Sequence, residues 1–176
     1  INDLLDISRI EDGKGFELNR QPVDIIKCIH EIVDLFRDRS SKHRFRAYLP
    51  KKEIILLLDN DKILQVFENL LSNATKYSPD GGEIQIRGKV EDDQFKVSIK
   101  DQGIGMTPDQ IERVYEKFYR ADASNTAFEG TGLGMTIVKH IIEAHGGTVW
   151  AESEINKGTV FGIGLPLIKK GKQINN

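Results

Sequence analysis

With one cysteine, one tryptophan and two methionines among 176 residues, the chain has little redox or soft-ligand chemistry to offer. Cys28 cannot close an intramolecular disulfide, and no second cysteine completes a zinc site, which fits a reducing, cytoplasmic setting. It lies in "VDIIKCIHEIVDLF" among Ile25, Ile29, Ile32 and Phe36 at helical spacing, the pattern of a buried structural thiol. An excess of charge of one sign is missing as well. The formal net charge is -2, which argues against a general nucleic-acid binder. No apolar run approaches the roughly 18 residues of a membrane span, no signal-peptide pattern opens the chain, and it reads as soluble as it stands. There is no internal repeat.

What is present, 39% hydrophobic and 30% charged residues, is the composition of one ordinary globular domain, able to bury roughly 70% of its unfolded surface. "INDLLDISRIEDG" begins without Met and already in helical register, so it is expected to be the end of a helix cut from something longer, with Gly13 at its C′ position. A short extended piece is expected near Phe16 to Leu18. Pro22 is expected in the first turn of a helix running to about Ser40. "RFRAYLP" and "EIILLLD" read as strands. Asn60 or Asp61 can cap the next helix, to about Tyr77, before "SPDGG" turns the chain. "EIQIRGKV" and "FKVSIKD" alternate as half-buried strands around the turn "EDDQ". A short helix begins near Pro108, and residues 119 to 130 show no sustained period, as in a lid or binding loop. "GTGLGMTIVKHIIEAHGG" reads as a helix between glycines, followed by strands "TVWAES" and "GTVFGIGLP" and the polar tail "KKGKQINN". This order points to an α/β sandwich with a mixed or largely antiparallel sheet.

Three features carry chemistry. At about 100° per residue, Asn69, Asn73 and Lys76 share one helical stripe with Tyr77 at its edge, although asparagine is a poor helix former. Ile63, Phe67, Leu70, Leu71 and Ala74 cover the apolar side. A solvated face with an incidental lysine is the plain alternative. The functional one is an Asn oxygen on a hard cation with the lysine on phosphate, as magnesium-bound polyphosphate needs. In "DQGIGM" Asp101 ends a strand, either as a structural turn or as an acceptor for an exocyclic amine, while Gly103 and Gly105 allow close approach of a flat ligand. "GTGLGM", residues 130 to 135, opens a helix whose free N–H groups attract phosphate. Neither run has the third glycine of the dinucleotide fingerprint, and "GGEIQIRGKV" lacks the spacing and the Ser or Thr of a phosphate-binding loop.

"NLLSNATKYS", "DQGIGM", "EKFYR", "GTGLGM" and "NKGTVFGIGLP", in that order, resemble the N box, first glycine box, F box, second glycine box and final glycine-containing strand of sensor histidine kinases. The resemblance covers residues 14–168 as a catalytic ATP-binding domain, with residues 1–13 similar to the end of a dimerisation and phosphoacceptor helix pair and 169–176 a flexible tail. It implies a two-layer α/β sandwich of Bergerat type, a mixed and mostly antiparallel sheet covered on one face by helices. ATP and Mg²⁺ are the implied cofactors. By the same resemblance Asn73 ligates Mg²⁺, Asn69 supports metal and phosphates, Lys76 contacts phosphate and Tyr77 lies against the nucleotide. Asp101 accepts from the adenine amino group, with Gly103 and Gly105 shaping that wall. Phe118 and Arg120 form the lid edge, Arg120 near the γ-phosphate. Gly130, Gly132 and Gly134 hinge the lid and offer backbone N–H groups to phosphate, Thr131 and Leu133 lying between them in the nucleotide-binding set. The implied catalytic residues are Asn69, Lys76 and Arg120. The implied partners are the upstream helices, in a homodimer, and a response-regulator receiver domain.

The hydrolases of this fold place a glutamate, a general base for water, one turn before the metal-binding asparagine. Here that position is Asn69, which cannot take a proton from water. Glu68 points about 100° away. Transfer to a protein side chain is therefore expected over hydrolysis; a hydrolase of the same fold and a non-catalytic nucleotide-binding module are the alternatives. His30, His43, His140 and His145 do not stand in the family's acceptor motif, so the acceptor is expected on an upstream helix.

Overall fold

The computed structural model describes residues 17–120 and 131–168. The expected helix over 1–12, the extended piece near Phe16, Gly130 and the tail lie outside them, wholly or in part. In chain order the elements are β1 (Gln21–Asp24), α1 (Ile25–Arg39), β2 (His43–Tyr48), β3 (Ile55–Leu58), α2 (Asn60–Lys76), β4 (Gly82–Glu91), β5 (Gln94–Lys100), α3 (Pro108–Arg113), α4 (Gly134–Ala144), β6 (Thr148–Glu154) and β7 (Gly158–Pro166).

Five strands form one sheet in the order β2-β4-β5-β7-β6. Only the β2–β4 pair is parallel; the others are antiparallel. In β5, Phe95, Val97 and Ile99 point into the core while the residues between them face outward, the period-two pattern of a sheet covered on one side. Ile29, Phe67, Leu71, Ile137 and Ile141 pack onto that buried face from α1, α2 and α4. The two-layer sandwich is as expected. Asp92 and Asp93, both in the left-handed region (φ 52° and 58°), make the tight turn between β4 and β5.

Two expectations need correction. Pro22 does not start a helix: it lies in β1, which pairs antiparallel with β3 in a separate two-stranded sheet, a place where proline's missing N–H is tolerated. The helix begins at Ile25, capped by the Asp24 carboxylate, which accepts from the Ile26 N–H at 3.1 Å. The cap of α2 is likewise neither Asn60 nor Asp61 but Asp59, whose Oδ1 accepts from the Lys62 N–H at 3.2 Å. Cys28 is buried, and burial pushes its thiol up to about 11, as an inert structural cysteine should be.

The cap of α2 is held by the opposite end of α4. His145, buried at the α4 C-terminus, accepts the Asp59 N–H at Nε2 (3.0 Å), so its proton sits on Nδ1 and is donated to the Ile141 carbonyl at 2.7 Å. Arg20 reaches the Ala144 carbonyl at 2.6 Å, and the Asn19 N–H reaches Asp59 Oδ2 at 3.0 Å. This brace fixes α4 against α2. Burial, with Arg20 nearby, lowers the His145 pKa below its usual value, against the Ile141 hydrogen bond and the Asp59 carboxylate. A depressed folded pKa contributes stability present above the unfolded value, about 6.5, and lost as pH falls through the folded one. Melting temperature is thus expected to fall on acidification below about pH 6.5, and His145→Gln to remove that component of the slope.

Candidate functional site

Between α2 and α4, at the ends of β5 and β7, lies a cavity of about 210 Å³. Asn69, Ser72, Asn73 and Lys76 reach it from a single face of α2, and Tyr77 from the C-cap of that helix. One side of an amphipathic helix supplies the first four because positions three and four apart stack on one face. Glu68 is exposed and does not line the cavity. Lys76 rests its ammonium over the Tyr77 ring, 4.8 Å from the centroid, where a cation is held without a carboxylate.

At one end, Asp101 is only 4% exposed. Its Oδ1 accepts two main-chain N–H groups, Gly103 at 2.9 Å and Thr159 at 3.0 Å, and its own N–H donates to the Thr159 carbonyl at 2.9 Å. No hydrogen bond among the described residues engages Oδ2. Burial raises the Asp101 pKa and the two N–H groups oppose that. A carboxylate oriented by two N–H groups, with its second oxygen unengaged, is an acceptor in the wall of the cavity.

The wall beside it depends on Gly105. Gly105 has φ +68°, and a Cβ there would collide with the Glu154 carbonyl oxygen. The Asn156 N–H closes onto the Ile104 carbonyl at 2.8 Å, and the Ile104 N–H onto the Tyr77 carbonyl at 3.0 Å. This loop is thereby stitched to both α2 and the β6–β7 turn.

The other end is the start of α4. Leu133 occupies the cap position but offers no side-chain hydrogen bond, leaving first-turn N–H groups without an intrahelical partner, next to Thr131, Gly132 and Gly134 in the cavity wall. A Cβ on Gly134 would come within 3.2 Å of Asn69 Oδ1, so α2 and α4 approach closely here. Asn69 Nδ2 is buried without a hydrogen-bond partner, an amide group facing the helix start. Gly132, at φ +72°, packs on the Phe118 backbone, and its carbonyl accepts the Phe118 N–H at 3.0 Å. Phe118 itself is at φ 60°, a conformation bulky residues rarely adopt, with its side chain 62% exposed.

Of the residues named from the sequence, Asn69, Asn73, Lys76, Tyr77, Asp101, Gly105, Arg120, Thr131, Gly132 and Gly134 line one cavity. Gly103, Phe118 and Leu133 do not line it: Gly103 binds Asp101, Phe118 braces Gly132, and Leu133 is buried in the core. Gly130 lies outside the described residues. Thr159, Met106 and Tyr119 line the cavity without having been singled out, although "NKGTVFGIGLP" had marked the strand that carries Thr159. None of the four histidines is in its wall.

The cavity suits a flat, amine-bearing group at the Asp101 end and an anion at the α4 end. The model of the histidine kinase-, DNA gyrase B-, and HSP90-like ATPase family matches residues 58–169, and the chain belongs to that family. Within it, the similar proteins are sensor histidine kinases, and the chain is a catalytic ATPase domain of that kind. The sensor histidine kinase WalK of Bacillus subtilis is 39% identical over 170 residues, 94% of this chain but 28% of that protein. The Staphylococcus aureus sensor protein kinase WalK is 35% identical over 169 residues, 94% of this chain and 40% of that protein. The chain thus spans well under half of these relatives. Among solved structures, a mycobacterial sensor histidine kinase, MprB, superposes with a TM-score of 0.73 at 29% identity, covering 84% of this chain and 97% of that one. Full-length ShkA in complex with AMPPNP gives 0.79 at 27%, covering 96% and 35%.

Proposed function

We propose that this chain, with residues 14–168 as its catalytic unit, binds Mg-ATP in the α2–α4 cavity and transfers the γ-phosphoryl group to a histidine on a dimerisation helix outside it. An aspartate of a response-regulator receiver domain then receives the group. The observation that carries the reading is the two-ended cavity itself, with the buried Asp101 acceptor at one end and, at the other, the uncapped start of α4 facing Asn69, Asn73 and Lys76.

The residues present fit both groups. AMPPNP, an ATP analogue, is bound by ShkA, a similar protein. Mg²⁺ keeps several waters and leans on substrate phosphates, so few protein ligands would be needed. Asn73 would give it one amide oxygen. When bound, Mg²⁺ supplies neutralisation of phosphate charge. Asn69 would then donate its orphaned Nδ2–H to a phosphate oxygen, Lys76 would swing from the Tyr77 ring to the same oxygens, and the first-turn N–H groups of α4 would take the remainder. Arg120, which lines the cavity, would meet the γ-phosphate. Phosphoryl transfer is mostly positioning and charge neutralisation, and these groups supply both.

Glu68 outside the cavity and an amide at Asn69 leave water without a general base, which favours transfer over hydrolysis. With no histidine in the cavity wall, the acceptor must be brought to it. The test follows γ-labelled ATP with Mg²⁺, using the chain alone and the longer protein that includes the dimerisation helices. Acid-labile label on the helices, with little phosphate released by the chain alone, is expected. Rapid phosphate release by the chain alone without labelled protein would instead establish a hydrolase, and tight binding without either would establish a regulatory nucleotide-binding module.

A further inference from the structure

The Asp101 end of the cavity carries a hydrogen-bond chain that the reading above leaves unused. Ser153 on β6 and Thr159 on β7 are register partners, with their hydroxyl oxygens 2.8 Å apart. Ser153 donates its single proton to the Gly158 carbonyl at 2.9 Å and accepts the Met106 N–H at 2.8 Å. A hydroxyl has one proton and two lone pairs. With its proton committed to a carbonyl, which can only accept, Ser153 can only accept from Thr159. The Thr159 proton therefore points at Ser153, so that the hydroxyl of Thr159, a residue of the cavity wall, has only lone pairs to offer a ligand. Asp101, joined to Thr159 by both main-chain contacts described above, turns Oδ2 to the same cavity.

We propose that Ser153 is a specificity-determining positioning residue: by taking up the Thr159 hydroxyl proton it makes this end of the cavity a double acceptor, which selects a purine with a 6-amino group over one with a 6-oxo group. The proposal rests on the nucleotide reading above. An exocyclic amine has two N–H groups and can satisfy two neighbouring acceptors, directly or through a water. A 6-oxopurine has a single donor on that edge, its N1–H, so at least one of the two acceptors would face the lone pairs of the 6-oxo oxygen, a repulsive element of the kind on which discrimination depends. Ser153 reaches no ligand itself; its hydroxyl and the Met106 N–H hold the polarity of Thr159 fixed.

Equilibrium binding of ATP and of ITP, each with Mg²⁺, to this chain tests it. Wild type is expected to prefer ATP by about a hundredfold. Ser153→Ala frees the Thr159 proton to rotate toward a 6-oxo oxygen, and the preference is expected to drop about tenfold, chiefly by a gain for ITP. Ser153→Thr, which keeps a hydroxyl, restores it. Adding Thr159→Val to Ser153→Ala removes that gain, because no proton remains to turn. A general loosening of the fold weakens both nucleotides alike and cancels in the ratio, and if Ser153→Ala does not fold, Ser153→Cys, whose thiol is only a weak acceptor for the Thr159 proton, decides by the same loss of preference. ATP binding with an unchanged ratio in the single variants overturns the proposal and leaves the nucleotide reading standing. A wild type that binds neither nucleotide overturns both.

Discussion

Asp101→Asn is expected to lower ATP affinity by about a hundredfold without lowering the melting temperature. The two consequences have separate causes. An amide oxygen can still accept the N–H groups of Gly103 and Thr159 that now meet Oδ1, so the loop after β5 keeps its anchor. The amide nitrogen, however, would point two donors where Oδ2 now offers an acceptor, and an exocyclic amine would meet them donor to donor. For stability the sign runs the other way. Burial raises the folded pKa of Asp101 above its usual value, so the group contributes stability that is fully present below about pH 3.9, its unfolded pKa, and is lost as pH rises through the folded value. At neutral pH the buried ionised carboxylate is a cost carried for binding, a common bargain at functional sites. Asparagine has no charge to desolvate. Melting curves from pH 3 to 7 should show that pH-dependent component in wild type and not in Asp101→Asn, while calorimetric titration reports the lost affinity; a variant that binds ATP normally would remove Asp101 from the site.

How much of this was legible in the sequence follows from the range of each interaction. Asn69, Asn73 and Lys76 declare themselves because a helix repeats locally, and spacing alone puts them on one face of α2, with Tyr77 at its C-cap. Asp101 is legible as a strand end before a glycine turn. Thr159 is not, because its place beside Asp101 depends on β5–β7 pairing across 58 positions. Ser153 matters only through its register with Thr159 and through Met106, 47 positions away. The two misplaced boundaries are of the same kind. Proline at 22 is equally at home in a helix's first turn and in a two-stranded ribbon, and the pairing with β3 decides. The run Asp59-Asn60-Asp61 offers three side chains able to cap, and the contacts of Asn19 and His145 with Asp59 select one. Local chemistry proposes such alternatives; partners distant in sequence choose among them.

Asn73→Ala is expected to reduce phosphoryl transfer by about a hundredfold or more while leaving the fold at least as stable. Asparagine is disfavoured in a helix by a few tenths of a kcal/mol relative to alanine, and Asn73 stands in the last turn of α2, four residues before the Tyr77 cap whose N–H its carbonyl accepts at 2.9 Å. That main-chain contact survives the substitution. What disappears is the Asn73 amide, which lines the cavity together with Asn69 and Lys76 and would offer a hard cation an oxygen ligand there. If it holds Mg²⁺, the variant should retain the magnesium-independent part of nucleotide binding, through Asp101 and the wall at Gly105, and lose the part that magnesium adds. The measurement is ATP affinity with and without Mg²⁺, together with the transfer rate at saturating nucleotide. A variant whose affinity still rises with Mg²⁺ as in wild type would move the metal away from Asn73. A variant that loses affinity equally with and without Mg²⁺ would make Asn73 a direct contact to the nucleotide. The expected result is a selective loss of the magnesium response, which a helix merely weakened in its packing could not produce.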